Sequence, residues 1–170
     1  DHPSQLKNRH NRAEYIVITP GVLKSAAQVL ADYRSEYTTK VVELEDIYDE
    51  FNHGIVNPEA IQDFLAHAYH YWRQPPRYVV LAGEGTYDRK NNLGIGDNLI
   101  PTMILNTPDG LFPSDNWFAD VSGYDGIPEM AIGRLPALSE TELRTMIDKI
   151  KTYEAGNSSG APWKNRIMMA

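Results

Sequence analysis

Three short runs of the chain, Tyr15-Ile-Val-Ile-Thr19, Tyr78-Val-Val-Leu-Ala82 and Met130-Ala-Ile132, carry almost no polar residue. A strand with one wet face alternates apolar and polar side chains. Strands without that alternation are covered on both sides, which is the situation in a parallel sheet flanked by helices. A fourth run, TKVVEL at 39–44, reads as a strand of the same kind. Between the runs the apolar period changes to 3.6, with Leu23, Ala26, Ala27, Leu30, Tyr33 and Tyr37 on one stripe and Ile61, Phe64, Leu65, Ala68, Tyr69 and Trp72 on another. Leu143, Met146, Ile147, Ile150 and Tyr153 make a third. This order predicts a three-layer α/β domain with a mainly parallel sheet.

The punctuation agrees with that order. Pro20-Gly21 ends the first strand, Asn57-Pro58-Glu59 is a helix start with Asn as cap and Pro at the first helical position, and Pro75-Pro76 stops that helix. Ser139-x-x-Glu142 is a capping box. The stretch EDIYDEFNHG reads as an acidic loop. Residues 83–128 are rich in Gly, Asp and Asn; only 99–105 (LIPTMIL) looks strand-like, and Trp117, Phe118 and Tyr124 predict an ordered segment. Residues 1–13 are polar and read as a flexible leader ahead of a single α/β domain over 14–170. The run RIMMA at 166–170 reads as a further strand, which leads us to expect a larger α/β protein.

Composition excludes several classes. A net charge of -7 over 170 residues, with the dense basic patch confined to 7–12, argues against a nucleic-acid partner. No apolar run approaches the roughly 18 residues of a membrane span, and nothing at the N-terminus has the form of a signal peptide. There are no cysteines, so disulfides, thiolate metal sites and a Cys nucleophile are absent from these residues.

Few motifs carry chemistry. Gly83 and Gly85 follow a strand, but there is no third glycine and no Gly-Lys-Ser/Thr, so a tight turn with positive φ is the reading rather than a phosphate loop. Asp120, Ser122 and Asp125 lie close together before Gly126 and supply oxygen donors at short spacing. They are candidate ligands for a structural calcium ion, against the alternative of an Asx-rich turn. His67 and His70 flank the apolar stripe of the second helix without a metal-binding spacing, and no Gly-x-Ser-x-Gly elbow is present. SDNWFAD at 114–120 reads either as an aromatic clamp on the sheet or as a wall facing substrate. Glu129 stands at the mouth of the last clear strand and Arg134 at its far end. Spacing leaves a Glu129–Arg134 ion pair and a reactive role for Glu129 evenly matched.

The ordered segments EYIVITP, KVVELEDIYDEF, NPEAIQDFLAHAY, PPRYVVLAGEGTYD, PSDNWFAD and DGIPEMAIGRLPALSETEL closely resemble the gingipain-like cysteine peptidase family, from about residue 13 onward. The resemblance implies a caspase-like catalytic domain of two side-by-side subdomains, of which this chain is the first. The catalytic His and Cys belong to the second, so this chain alone is expected to be inactive. In the family an acidic residue of the first subdomain orients the catalytic His, and Glu129 matches its position. Such a carboxylate makes chemical sense, because a thiolate–imidazolium pair needs its imidazole held in one tautomer and orientation. Glu140 and Glu142 lie near where such enzymes shape specificity for basic side chains, although capping accounts for them equally well.

The expectation is therefore the N-terminal subdomain of a secreted or cell-surface bacterial cysteine endopeptidase. It would act on protein or peptide substrates, require no cofactor, and pair with the second subdomain of its parent chain. An exposed interface would also permit self-association. The competing reading is a non-catalytic, peptidase-like interaction or secretion module.

Overall fold

The computed structural model describes residues 4–88, 91–94, 96–108, 110–123 and 125–156. The expected strand at 166–170 and the aromatic Tyr124 lie outside them. The main sheet has four parallel strands in the order β2-β1-β3-β6, formed by β1 (Tyr15–Thr19), β2 (Thr39–Glu43), β3 (Tyr78–Ala82) and β6 (Ala131–Leu135). Val17 of the central strand sits between Val41 and Val80.

All five residues of β1 are buried, and the period of two sends them into different cores. Ile16 and Ile18, with Val42, Val79 and Leu81, pack under α2 (Leu44–Asn52) and α3 (Glu59–Tyr71). Tyr15 and Val17, with Val80 and Ala82, pack against α1 (Lys24–Tyr33) and α5 (Glu140–Ala155). The chain therefore has the expected three layers, and each large side chain buried in them contributes about 1.5–3 kcal/mol. Across the second layer Glu154 of α5 accepts from Arg34 Nη1 at 2.8 Å and Nη2 at 2.7 Å, and from Tyr33 Oη at 2.8 Å. The guanidinium holds the Glu154 carboxyl below its ordinary range.

Three expectations are revised. EDIYDEFNHG is largely a helix: α2 buries Leu44, Ile47 and Tyr48 and exposes Glu45 and Asp49, so the acidity belongs to the outer side of a helix and not to a loop. The strand expected at 99–105 begins only at Ile104. There β4 (Ile104–Thr107) pairs antiparallel with β5 (Gly110–Pro113) as a separate hairpin, Gly110 taking a φ of 120° that favours glycine. Residues 4–13 are anchored at points, although most of their side chains are exposed. Leu6 is 2% exposed and Ala13 fully buried, and the Leu6 carbonyl accepts from Trp72 Nε1 at 2.8 Å.

Glu50 at the end of α2 fastens this N-terminal segment. Its carboxylate accepts from Ser4 Oγ, from Leu6 N at 2.7 Å and from Lys7 N at 3.0 Å. Burial pushes the carboxyl up, but these donors outweigh it and the net shift is down from the ordinary value near 4.5. A carboxyl lowered in the folded state stabilises above its unfolded value and loses that contribution as pH falls through the folded value. Glu50→Gln is expected to cost about 1–2 kcal/mol at pH 7 and to expose the bonds around Leu6 to limited proteolysis. The stability gap between wild type and variant should close as the pH is lowered below 4.5, measured by denaturant unfolding across pH.

Candidate functional site

The site forms around β6, which pairs with β3 on one side and has no strand partner on the other among the described residues. Arg134, on this strand, does not meet Glu129. Its Nε and Nη2 donate to Asp115 Oδ2 at 2.9 Å and Oδ1 at 2.8 Å, a bidentate pair, and its Nη1 donates to the carbonyls of Gly83 at 3.1 Å and Ile100 at 2.9 Å. This one side chain joins β6, the end of β3, the loop at 100 and the start of α4 (Asn116–Ala119). The crowding explains Gly85. A Cβ there would lie 2.5 Å from the Ile100 carbonyl oxygen and 2.7 Å from Arg134 Nη1. Gly83 and Gly85 do not have positive φ, so close approach, and not the expected left-handed turn, is what requires a glycine at 85.

Glu129 lies two residues before β6, at the amino end of the strand, and is half-buried. Its backbone N–H donates to the Ala119 carbonyl at 2.9 Å, which closes the loop after α4 back on itself. Its carboxylate accepts from two consecutive backbone amides, Val121 N at 2.7 Å and Ser122 N at 3.0 Å, both on Oε2. Oε1 takes neither. The alternative ion pair with Arg134 is thus replaced by a backbone grip that fixes the carboxylate's direction without neutralising its charge.

The other candidates fall into place around this loop. Asp120 is 7% exposed; its Oδ2 accepts from Gly126 N at 2.9 Å, while its buried Oδ1 has no hydrogen-bond partner among the described residues. Asp125 Oδ1 accepts from Ile127 N at 3.0 Å, and Ser122 contributes its amide to Glu129. Among the described residues no three His, Cys, Asp or Glu side chains converge in a way that could hold a metal ion. His67 Nε2 contacts the Lys7 carbonyl at 3.1 Å and His70 Nε2 the Val121 carbonyl at 3.0 Å. Trp117 and Phe118 of the SDNWFAD segment stack edge to face, and Phe118 is fully buried under the sheet. Glu142 accepts from Leu138 N at 2.8 Å and its own amide donates to Ser139 Oγ at 3.3 Å, so it caps α5. A largely apolar groove of about 470 Å³ opens at the opposite end of the sheet from Glu129, between Gly85, Thr86 and Tyr87 and the hairpin residues Ile104 and Leu111.

The partners that sequence reasoning missed are mostly backbone. Nothing in the letters Val121 and Ser122 marks their amides as carboxylate donors. Asp115 was within reach, since an Arg beside a buried strand needs a carboxylate, but the spacing to Glu129 was the more conspicuous choice. Asp115→Ala should cost about 2–4 kcal/mol, because it leaves a guanidinium that is 12% exposed without its counter-charge. Arg134→Lys should cost a comparable amount, since an ammonium cannot reproduce the four-way fork. Thermal and denaturant unfolding measure both.

No helix among the described residues is long and apolar enough to cross a membrane. Among curated proteins nothing matches the chain. Solved structures do. Latent dimeric PorU from Porphyromonas gingivalis superimposes with a TM-score of 0.73 at 25% identity, over 94% of this chain and 17% of that one. The complex of the RgpB pro- and mature domains from the same organism gives 0.63 at 28%, over 84% and 29%. The Arg-specific cysteine proteinase gingipain R gives 0.62 at 26%, over 90% and 30%. The chain thus spans less than a third of each of these structures. The profile of Peptidase family C25 matches residues 8–170, nearly the whole length, and the chain belongs to that family.

Proposed function

We propose that these residues form the first subdomain of a cysteine endopeptidase, in which Glu129 orients the imidazole of a catalytic His supplied by a second subdomain. The observation that carries this is the state of the carboxylate. It is half-buried, held through Oε2 by two amides and, among the described residues, unpaired with any cation and placed beside a sheet edge that is open. A group with that task must present an acceptor in a fixed direction and keep its negative charge to stabilise the imidazolium. Oε1 is the atom available to accept from the imidazole's distal N–H.

Family membership supports the wider reading: thiolate attack on a peptide carbonyl, protein or peptide substrates, and a secreted or surface-bound bacterial enzyme. These 170 residues contain no cysteine, so the nucleophile of such an enzyme comes from outside them. The parent chain's second subdomain is accordingly the partner this reading requires.

In the full-length peptidase, Glu129→Gln keeps an amide-accepting oxygen and removes the charge. It is expected to lower kcat by about 10²- to 10⁴-fold, the range that positioned acid–base chemistry contributes, with an unchanged unfolding midpoint. Wild-type turnover in the variant would remove Glu129 from the mechanism. A parent chain that hydrolyses no peptide at all would favour the non-catalytic module instead.

A further inference from the structure

The carboxyl ends of the strands, where ligands bind in open parallel sheets, carry an apolar surface that neither core uses. Strand β3 ends at Ala82 and runs on into Gly85, Thr86 and Tyr87, which line one side of the groove of about 470 Å³. The hairpin lines the other. Ile104 pairs with Pro113 and Asn106 with Leu111, so Ile104, Leu111 and Pro113 share the face of the hairpin that borders the groove, while Leu105 and Phe112 take the opposite face. The apolar groups here are left in water: Tyr87 is 66% exposed and Leu111 74%. Single apolar side chains scattered on a surface need no explanation, but a group of them around a concavity marks a binding surface.

We propose that this groove is a subsite for one apolar side chain of a polypeptide substrate whose neighbouring residues are neutral or basic. Three observations select that occupant. The volume lies within the roughly 300–1,000 Å³ of pockets that enclose small ligands, and the lining is largely apolar. Among the described residues the backbone N–H and C=O of Tyr87 have no hydrogen-bond partner, so the same wall offers a donor and an acceptor to the main chain of an extended peptide. The charges around the groove have one sign. Between Gly83 and Ile100 the charged side chains among the described residues are Glu84, which accepts from Gly85 N at 3.1 Å, Asp88, and the exposed Asp97. Arg134, close to Gly85, is already paired with Asp115. Such a rim repels a carboxylate beside the buried side chain and attracts an ammonium or guanidinium. A second copy of this chain, with its net charge of -7, is a poorer match. The inference rests on the reading of the chain as part of a peptidase and not on the role given to Glu129, which lies at the other end of the sheet.

The test uses the full-length peptidase and fluorogenic peptides that carry Leu or Ser at each position in turn around the cleaved bond. At one position Leu is expected to raise kcat/KM about 10- to 100-fold over Ser, as burial of one such side chain implies. Leu111→Gln and Tyr87→Ser replace exposed side chains, so the fold is retained, and each should reduce that ratio to about threefold or less. Phe112→Gln, on the opposite face of the hairpin, should leave it intact. With Leu in place, Lys at the next position should be cleaved faster than Glu, by a margin that shrinks at high salt. The inference is overturned by the absence of a Leu preference at every position, by a ratio unchanged in both groove variants, by an equal loss in Phe112→Gln, or by a preference for Glu over Lys. A dimer that Leu111→Gln dissociates, with the ratio unchanged, overturns it too and makes a second copy the occupant. Each ratio compares two peptides on one enzyme, so the outcome for Glu129→Gln leaves it untouched. A full-length chain that cleaves no peptide removes the peptidase reading, and binding of the same peptides, labelled and followed by fluorescence anisotropy, then decides the groove. Tighter binding of the Leu peptide that Leu111→Gln abolishes upholds the subsite; equal binding of the Leu and Ser peptides overturns it.

Discussion

One guanidinium organises this end of the molecule. Arg134 is mostly buried in β6, and four of its five N–H groups are used: two on Asp115 and one each on the carbonyls of Gly83 and Ile100. Those four bonds join segments far apart in sequence that the sheet alone does not connect. Asp115 begins the short helix α4, whose last residue, Ala119, receives the backbone N–H of Glu129. The helix is therefore pinned at its start by Arg134 and at its finish by Glu129, and the turn that follows it can present two amides to one carboxylate oxygen. A buried pair of this kind is weak evidence for stability as such. Its contribution here is placement.

The layers of the fold were legible in the sequence because burial on two sides leaves a chemical mark. Tyr15-Ile-Val-Ile-Thr19 and Tyr78-Val-Val-Leu-Ala82 have no polar position to spare, and the structure uses alternate residues of each for opposite cores. Elements with a large wet surface were harder to read. Helix α2 has four acidic residues in nine, and its buried positions, Leu44, Ile47 and Tyr48, are too few to stand out against them. The hairpin β4–β5 is exposed along nearly its whole length, so no burial pattern announces it. Residues 4–13 look like a solvated tail because their anchoring is done by single atoms: the Leu6 side chain and carbonyl, and a set of donors to Glu50.

Glu129 marks the limit of sequence reasoning in a different way. Spacing leaves an ion pair with Arg134 and a reactive role evenly matched, and only the family resemblance favours the second. Neither reading contained the groups that hold it, since backbone N–H groups have no letter of their own. Asp120, Ser122 and Asp125 drew attention as possible cation ligands by residue type, yet Ser122 matters here through a main-chain atom, its amide.

The choice of partner for each charge has a chemical consequence. Had Arg134 paired with Glu129, a bidentate fork would have occupied both carboxylate oxygens and fixed a cation beside them, leaving no acceptor for an imidazole and repelling its protonated form. Giving Arg134 to Asp115 and two neutral amides to Glu129 separates the two requirements. The amides supply rigidity through one oxygen and, among the described residues, leave the second oxygen and the charge without a partner. Amides are also permanent donors with no titration near neutral pH, so the grip holds over the range in which an imidazole gains and loses its proton. A carboxylate so held is oriented in advance of any partner, which is the condition under which a positioning group acts without reorganising during a reaction.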